Sequence, residues 1–395
     1  MADKKQKADR EALRVACAVD PWFECRFFEG EARVKPPRYT GAMDKSRRIV
    51  LGMSGGVDSA TSAALLLRAG YEVLGVTCLF LPTEAARASA RDAAATAQVL
   101  GIPHVIRTCT EAFARTVIDP FVEDYSAGLT PSPCVHCNRF SKIPALLEVA
   151  DEQGYDAIAT GHYARIARLS SNGRFVVKTA LDEGKDQSYM LSMLDQDQLA
   201  RLVLPLGGTT KAEVRIMAED AKLPVASAPE SQDICFIQGD YADFLCERGA
   251  AGRPGRIVLR TGVVLGQHSG LARYTVGQRK GIGIAAAEPY YVLEKRVATN
   301  ELVVGFQNET FIDAVVVKNV NWQAFALLEG PRNCMCKLRY RSRAVACVIE
   351  PEGPSMVRVS LRSPQPATAP GQFAVFYEGA SVIGGGEISD TIPAL

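Results

Sequence analysis

From Arg47 onward, short apolar runs alternate with longer stretches of helical periodicity. Ile49-Val50-Leu51 reads as a buried strand, followed by a loop with two adjacent glycines, Gly55 and Gly56. The Ala/Leu-rich run Ala60 to Leu67, closed by Gly70, predicts a helix starting near Asp58, with Asp58 and Ser59 as cap and first-turn residues. The pattern then predicts a strand at Glu72–Leu79, a helix at about Glu84–Leu100, a strand at His104–Arg107 and a helix over about Glu111–Tyr125. A further helix fits Ile143–Gln153, and Asp156 to Tyr163 reads as a strand running into a loop. Strands alternating with helices argue for an α/β fold with a doubly wound parallel sheet. Such sheets bind ligands beyond the carboxyl ends of their strands, where Gly52 to Ser59, Gly161 and His162 would meet.

Apolar periodicity predicts a helix from Met190 to Leu202 and another from Lys211 to Ala221, with Pro224 to Phe236 as a loop. Beyond about Ile257 the character changes. Short β-rich runs at Val315–Val320, Cys334–Tyr340, Ala344–Ile349, Met356–Leu361, Phe373–Tyr377 and Val382–Ile383 suggest a separate antiparallel barrel. The expected division is an extension at 1–45 with an aromatic island at Trp22–Phe28, an α/β domain at 46–222, a small central domain at 223–288 and the barrel at 289–395.

Bulk properties narrow the class. At 395 residues, two or three domains are expected, and 47% hydrophobic with 23% charged residues describes a soluble globular chain. No apolar run approaches the ~18–20 residues of a membrane span. Net charge is +1, so any nucleic-acid surface must be a local basic patch. Eleven scattered cysteines and a charged N-terminus without an apolar core fit reduced thiols in the cytoplasm.

The chemistry concentrates in two places. A glycine loop between strand and helix leaves backbone N–H groups at the positive end of a helix dipole, a ready anion site. It lacks the Lys of the Walker loop, and Ser54-Gly55-Gly56-Val57-Asp58-Ser59 instead resembles the pyrophosphate loop of the N-type ATP pyrophosphatases. The second place is Thr130 to Asn138, a proline-rich segment read as a loop that ends in Cys134-Val135-His136-Cys137. Ser231 to Ile237 adds Cys235 about a hundred residues later. A lone C-x-x-C is half a zinc site, so sulfur chemistry, zinc and inert core cysteine all stay open on spacing alone. Cys334 and Cys336 read as structural, as do His104 and His268.

Gly52–Ser59, Thr160–Tyr163, Lys185–Tyr189 and Ser231–Ile237 occur in this order, followed by Gly266–His268, Tyr274–Gly281 and Pro370–Tyr377. The set resembles the bacterial tRNA-specific 2-thiouridylases, which exchange oxygen for sulfur at position 2 of the wobble uridine. The likeness runs from about Arg47 to Ile388. It implies that ATP lies on Gly52, Met53, Ser54, Gly55, Gly56, Val57, Asp58 and Ser59, with Cys78 and Gly161 also at the nucleotide. It implies Cys235 as the carrier of a persulfide, fed by a sulfur-carrier protein or a cysteine desulfurase, and Cys137 as its partner nucleophile and disulfide partner. Ser132, Pro133 and Cys134 would line the target base. His162, Lys185, Asp186, Gln187, Arg339, Tyr340 and Gln372 would contact tRNA, with the acceptors for Lys, Glu and Gln as substrates. Magnesium is expected with the leaving pyrophosphate. Both cysteines need thiolate character, which Arg139, Lys142 or a helix N-terminus could promote.

The family usually has Asn where Ser132 stands, some members have Asp in place of Cys134 and many have Met in place of Cys78; none of these departures touches Cys137, Cys235 or the glycine loop. Three rival readings remain at this stage. One is another adenylating enzyme with the same loop, which would not need the cysteines. The second is an iron–sulfur cluster on Cys134, Cys137 and Cys235, less favoured. The third is a non-catalytic RNA-binding protein that uses its barrel.

Overall fold

The structure is a computed structural model that describes residues 48–226, 234–237, 239–250 and 252–394. The extension 1–45 and the Ser231-Gln232-Asp233 part of the third cysteine motif lie outside the described residues. Strands Arg48–Gly52 (β1), Glu72–Leu79 (β2), His104–Thr108 (β3) and Ala157–Ala159 (β4) join Leu202–Val203 in a parallel sheet, in the order β3, β2, β1, β4 and Leu202–Val203. Helices Val57–Arg68 (α1) and Glu84–Leu100 (α2) follow the first two strands. Three consecutive helical pieces, Thr110–Phe113, Ala114–Ile118 and Asp119–Ser126, form α3. Pro133–Cys137, Asn138–Lys142 and Ile143–Gln153 form α4, and the middle piece of each of these two helices is a π-turn.

Side chains alternate across β1 because successive residues of a strand face opposite ways. Ile49 and Leu51 pack with Ala63 and Leu66 of α1 and Ala93 and Ala97 of α2. Val50 packs with Ile143, Leu146 and Val149 of α4. Both faces are thus covered, and that is why the strand is apolar throughout.

Two local expectations change. The apolar stretch from Met190 to Leu202 is not one helix: a 3-10 turn at Ser188–Leu191 precedes a new helix at Gln196–Arg201. Asp195 starts that helix with a capping box, its carboxylate accepting from the Gln198 N–H at 2.8 Å. Leu202 and Val203 then extend beside Ile158 and Ala159 as the fifth strand. The C-x-x-C segment is not a loop, because Pro133 sits in the first turn of α4, where its missing N–H costs nothing.

A second sheet contains Gly255–Leu259, Val264–His268, Tyr291–Arg296 and Glu301–Gly305. The expected boundary between 288 and 289 therefore falls inside this sheet, since Tyr291–Arg296 pairs with Glu301–Gly305, which lies beside Gly255–Leu259. Six later strands close into an antiparallel barrel, Phe311–Trp322 pairing with both Met356–Pro366 and Ser381–Pro393. Closure removes the exposed edges that an open sheet would present. The barrel is tied to the α/β part by a shared core in which Val135, Leu146 and Tyr189 pack with Phe373, Val375 and Tyr377. No helix among the described residues is long and apolar enough to cross a membrane.

Candidate active site

The carboxyl edge of the parallel sheet carries both candidate chemistries. Met53 leaves β1 anchored to β2: its N–H donates to the Val76 carbonyl at 2.8 Å, and its own carbonyl accepts from Thr77 Oγ1 at 2.8 Å. Gly55 adopts φ +75, and a Cβ there would stand 2.4 Å from the Ser89 carbonyl oxygen of α2. Only glycine allows this loop to lie so close to the neighbouring helix. Gly56 is the N-cap of α1 and supplies no side-chain cap, so the first-turn N–H groups of Val57, Asp58 and Ser59 keep no capping partner from it. Ser59 is turned back into the loop, its Oγ donating to the Gly56 carbonyl at 3.0 Å and accepting from the Ser54 N–H at 3.2 Å.

Asp58 is a first-turn residue rather than the cap expected from the sequence. Its Oδ1 accepts from Lys211 Nζ at 2.6 Å and from the Tyr163 hydroxyl at 2.7 Å. Gly161 brings the end of β4 against this turn; a Cβ on it would meet the Asp58 carbonyl carbon and the Ser59 nitrogen, each at 3.1 Å. The β4 rim therefore touches the first turn of α1 through Gly161. Lys211 and Tyr163 were not singled out from the sequence. Tyr163 lay in a motif, but nothing near Lys211 marks it.

The cysteines lie on the same edge. Cys134 and Cys137 are one helical turn apart on α4. Cys235 reaches them through its neighbour Phe236, which is buried against Phe113 and Phe121 of α3 and Phe244 of the helix Tyr241–Glu247, with ring centroids 5.2–5.8 Å apart. Cys137, Ile234 and Ile237 pack on the same aromatic cluster. This cluster is the feature that sequence reasoning missed, because aromatic residues so far apart in the chain read only as core.

Cys134 and Cys235 are exposed and Cys137 is half-buried. The protein around them still removes enough water to push all three thiols up, Cys235 to about 11 with the nearby Cys137 as a second cause. The Lys142 ammonium acts in the opposite direction on each of them. Arg139, the other cation considered, is engaged elsewhere: its Nη1 donates to Asp195 at 2.5 Å and to Gln198 at 2.6 Å. Cys78, at the end of β2, is half-buried, and a hydrogen bond with Cys109 together with burial pushes its thiol up.

The residues expected at tRNA divide into two groups. Arg339 and Cys134 are exposed, while Ser132, Lys185, Gln187, Tyr340 and Gln372 are half-buried. Asp186, in contrast, is turned inward. It accepts from the Ala180 and Ser188 N–H groups, the Ser188 hydroxyl and Lys337 Nζ, so its carboxylate ties the Lys185–Gln187 turn to the barrel instead of facing outward. His162 is also buried; its Nδ1 lies 2.8 Å from Thr160 Oγ1, and burial holds the imidazole well below its usual range, hence neutral. Pro133 is buried at the helix start. The Gln372 amide donates to the carbonyls of Thr130 (2.8 Å) and Pro131 (3.4 Å), so it braces the segment before Cys134. Cys334 and Cys336 are buried in the barrel, with Cys334 facing Cys347 across the strands at 3.5 Å.

Among the described residues no group of three or more His, Cys, Asp or Glu converges in a way that could hold a metal ion.

Comparison with known proteins draws these features together. Residues 47–239 match a family model described as the tRNA methyl transferase HUP domain. Residues 242–306 match its PRC-barrel domain, and 312–388 an aminomethyltransferase beta-barrel domain. A solved structure of the U34-tRNA thiolase NcsA from Methanococcus maripaludis, with its 4Fe–4S cluster, is 17% identical and covers 51% of this chain and 63% of that one. Its TM-score of 0.32 is too low for any inference. The tRNA-specific 2-thiouridylase MnmA of Desulforamulus reducens is 41% identical over 359 residues, covering 88% of this chain and 98% of its own. The protein of the same name from Geobacter metallireducens is 44% identical over 357 residues, covering 87% and 96%. With likeness of that degree along nearly the whole length of both partners, the chain belongs to the tRNA-specific 2-thiouridylase family.

Proposed function

We propose that this protein is an ATP-dependent tRNA sulfurtransferase that replaces the oxygen at position 2 of the wobble uridine with sulfur, acting in the cytoplasm on the tRNAs for Lys, Glu and Gln. One juxtaposition carries the reading. The uncapped start of α1, with its Gly55-Gly56 loop, lies on the same sheet edge as two accessible cysteines and a third beside them. The first feature suits a phosphate chain and the second suits sulfur.

In this account ATP lies with its phosphates against Gly52–Ser59, close to Gly161 and Cys78. The uridine oxygen attacks the α-phosphorus and pyrophosphate leaves, which makes the base carbon susceptible to sulfur. Cys235 holds the transferable sulfur as a persulfide received from a carrier or desulfurase. By one route the terminal sulfur attacks the activated carbon and AMP departs with the oxygen. The Cys137 thiolate then attacks the Cys235 sulfur, releasing the thiolated base and forming the Cys137–Cys235 disulfide. By the other route Cys137 attacks first, and the freed hydrosulfide attacks the carbon. Both end in the same disulfide, which an external thiol reductant must reopen.

Magnesium, when bound, would neutralise charge on the leaving pyrophosphate. The loop offers one carboxylate, Asp58, already paired with Lys211, a donor set that suits an ion held mainly by phosphate oxygens and water. The RNA would be met by Arg339, Tyr340, Lys185 and Gln187, with Ser132 and Cys134 nearest the base.

The test is product analysis with labelled ATP. AMP and pyrophosphate should form in equal amounts, and only with substrate tRNA present. Formation of ADP, or turnover indifferent to tRNA, would contradict the proposal.

A further inference from the structure

We propose that Tyr163 and Lys211 are positioning residues through which the segment 180–188 holds the Asp58 carboxylate of the glycine loop, so that tRNA and ATP bind cooperatively. The inference rests on the thiolation reading, with RNA met by Lys185 and Gln187 and ATP lying on Gly52–Ser59.

The segment is closed on itself. The Ala180 and Ser188 N–H groups both donate to Asp186 Oδ1, at 3.1 and 3.2 Å, and Lys337 Nζ of the barrel donates to Asp186 Oδ2 at 3.2 Å. Two arms run from it to the first turn of α1. The first starts at Gln187, whose N–H donates to the Tyr163 carbonyl at 2.8 Å. The Gln187 side-chain oxygen accepts from the Tyr163 N–H at 2.9 Å, so Tyr163 is gripped on both sides of its backbone. The Tyr163 hydroxyl then donates to Asp58 Oδ1 at 2.7 Å. The second arm starts at Asp182, whose Oδ2 accepts from the Lys211 N–H at 3.0 Å, where the helix Lys211–Asp220 begins. Lys211 Nζ donates to Asp58 Oδ1 at 2.6 Å. Both arms end on one carboxylate oxygen.

Packing stiffens these arms. Tyr163 is 3% exposed and packs with Val57 and Ala60 of α1, with Ala180 of the segment and with Val214 of the helix Lys211–Asp220. The Lys211 ammonium also lies 5.8 Å from the centre of the Tyr163 ring. Asp58 belongs to the turn whose N–H groups suit phosphate, so its carboxylate reports where that turn stands. The Gln187 oxygen is already used by Tyr163, which leaves the amide N–H groups for RNA and suits a phosphate or carbonyl acceptor. RNA at Gln187 and phosphate on α1 therefore bear on one connected body. Ordering that tRNA imposes on 180–188 is no longer required when ATP settles, and linkage makes the effect reciprocal.

The test measures the Kd of α,β-methylene-ATP, which resists cleavage between the α and β phosphates, with and without saturating unmodified tRNA for Lys. The readout is the ratio of the two Kd values, in which any loss of nucleotide affinity that tRNA does not alter cancels. A merely structural role would leave that ratio unmoved. Wild type should bind the analogue about tenfold more tightly with tRNA. Tyr163→Phe removes one hydroxyl from one arm and should leave a ratio of about threefold. Tyr163→Phe with Lys211→Met cuts both arms and should bring the ratio close to one. The analogue should raise tRNA affinity by the same factor in each protein. A tRNA that binds wild type without changing the analogue Kd would overturn the proposal, and so would a wild-type ratio in the double variant. A failure of the thiolation reading would appear separately, as ADP formed from labelled ATP or as tRNA left without a thiolated base.

Discussion

Gly55→Ala offers the sharpest test of the glycine loop. Gly55 adopts φ +75, where a side chain costs ~1–2 kcal/mol. The added Cβ would also stand 2.4 Å from the Ser89 carbonyl oxygen and 3.0 Å from its carbon. That oxygen belongs to the backbone of α2 and cannot swing aside, so loop or helix must shift, at ~1–3 kcal/mol for an overpacked contact. Together these predict a loss of about 2–5 kcal/mol, which lowers the melting temperature by ~5–15 °C for a domain of this size. Gly56→Ala is the matched control. Gly56 has φ −99, and the nearest atom to its Cβ is Ser54 Oγ at 3.6 Å, so the free protein should melt within a degree or two of wild type. Its ATP affinity should nevertheless fall, because the new methyl group stands where phosphate approaches the backbone. Differential scanning fluorimetry without nucleotide and titration calorimetry with ATP separate the two effects. Equal melting of the two variants would refute the steric argument. Wild-type ATP affinity in Gly56→Ala would refute the phosphate argument.

Three further outcomes follow from the geometry. Phe236→Ala should cost ~3 kcal/mol or more in the aromatic cluster and sharply reduce thiolation while leaving the ATP Kd unchanged, since Phe236 seats Cys235 but lies off the glycine loop; equal loss of ATP binding would contradict this. A double-mutant cycle of Asp58→Asn and Lys211→Met should give a coupling of about 1 kcal/mol or more in chemical denaturation, because Lys211 is largely shielded from water at this contact. In the free enzyme, burial raises the Cys235 thiol to about 11, so the protonated form is favoured at neutral pH. Its alkylation should climb about tenfold per pH unit from pH 7 to 10 without levelling off, and a plateau near pH 8.5 would contradict the account.

Some of this was legible in the sequence for physical reasons. β1 is buried on both faces, so its apolar run is unbroken, and the loop after it needs Gly55 for a positive φ. The six barrel strands each kept a β-rich run between turns. What stayed hidden depends on partners distant in the chain. Leu202–Val203 continues an apolar helical pattern, yet its backbone is claimed by β4. Tyr291–Arg296 looked like the start of the barrel because a strand's own composition does not name its neighbour. Lys211 and Asp58 are 153 residues apart, and no local pattern links them. Asp186 sits in a polar motif that reads as a ligand surface, but Ser188, Ala180 and Lys337 use up its carboxylate. The prolines before Cys134 read as a loop, whereas Pro133 starts the helix that carries both cysteines.

The central claim is that one sheet edge activates a uridine and delivers sulfur to it. The most direct measurement is mass spectrometry of wobble nucleosides after incubation of unmodified tRNA for Lys, Glu or Gln with the protein, ATP, magnesium, a thiol reductant and a persulfide donor such as a cysteine desulfurase with its cysteine substrate. Wild type should produce 2-thiouridine, and Cys137→Ala and Cys235→Ala should not when sulfur must arrive as a persulfide. Undiminished thiolation by both variants, or ATP consumption with no thiolated base from any form, would contradict the account.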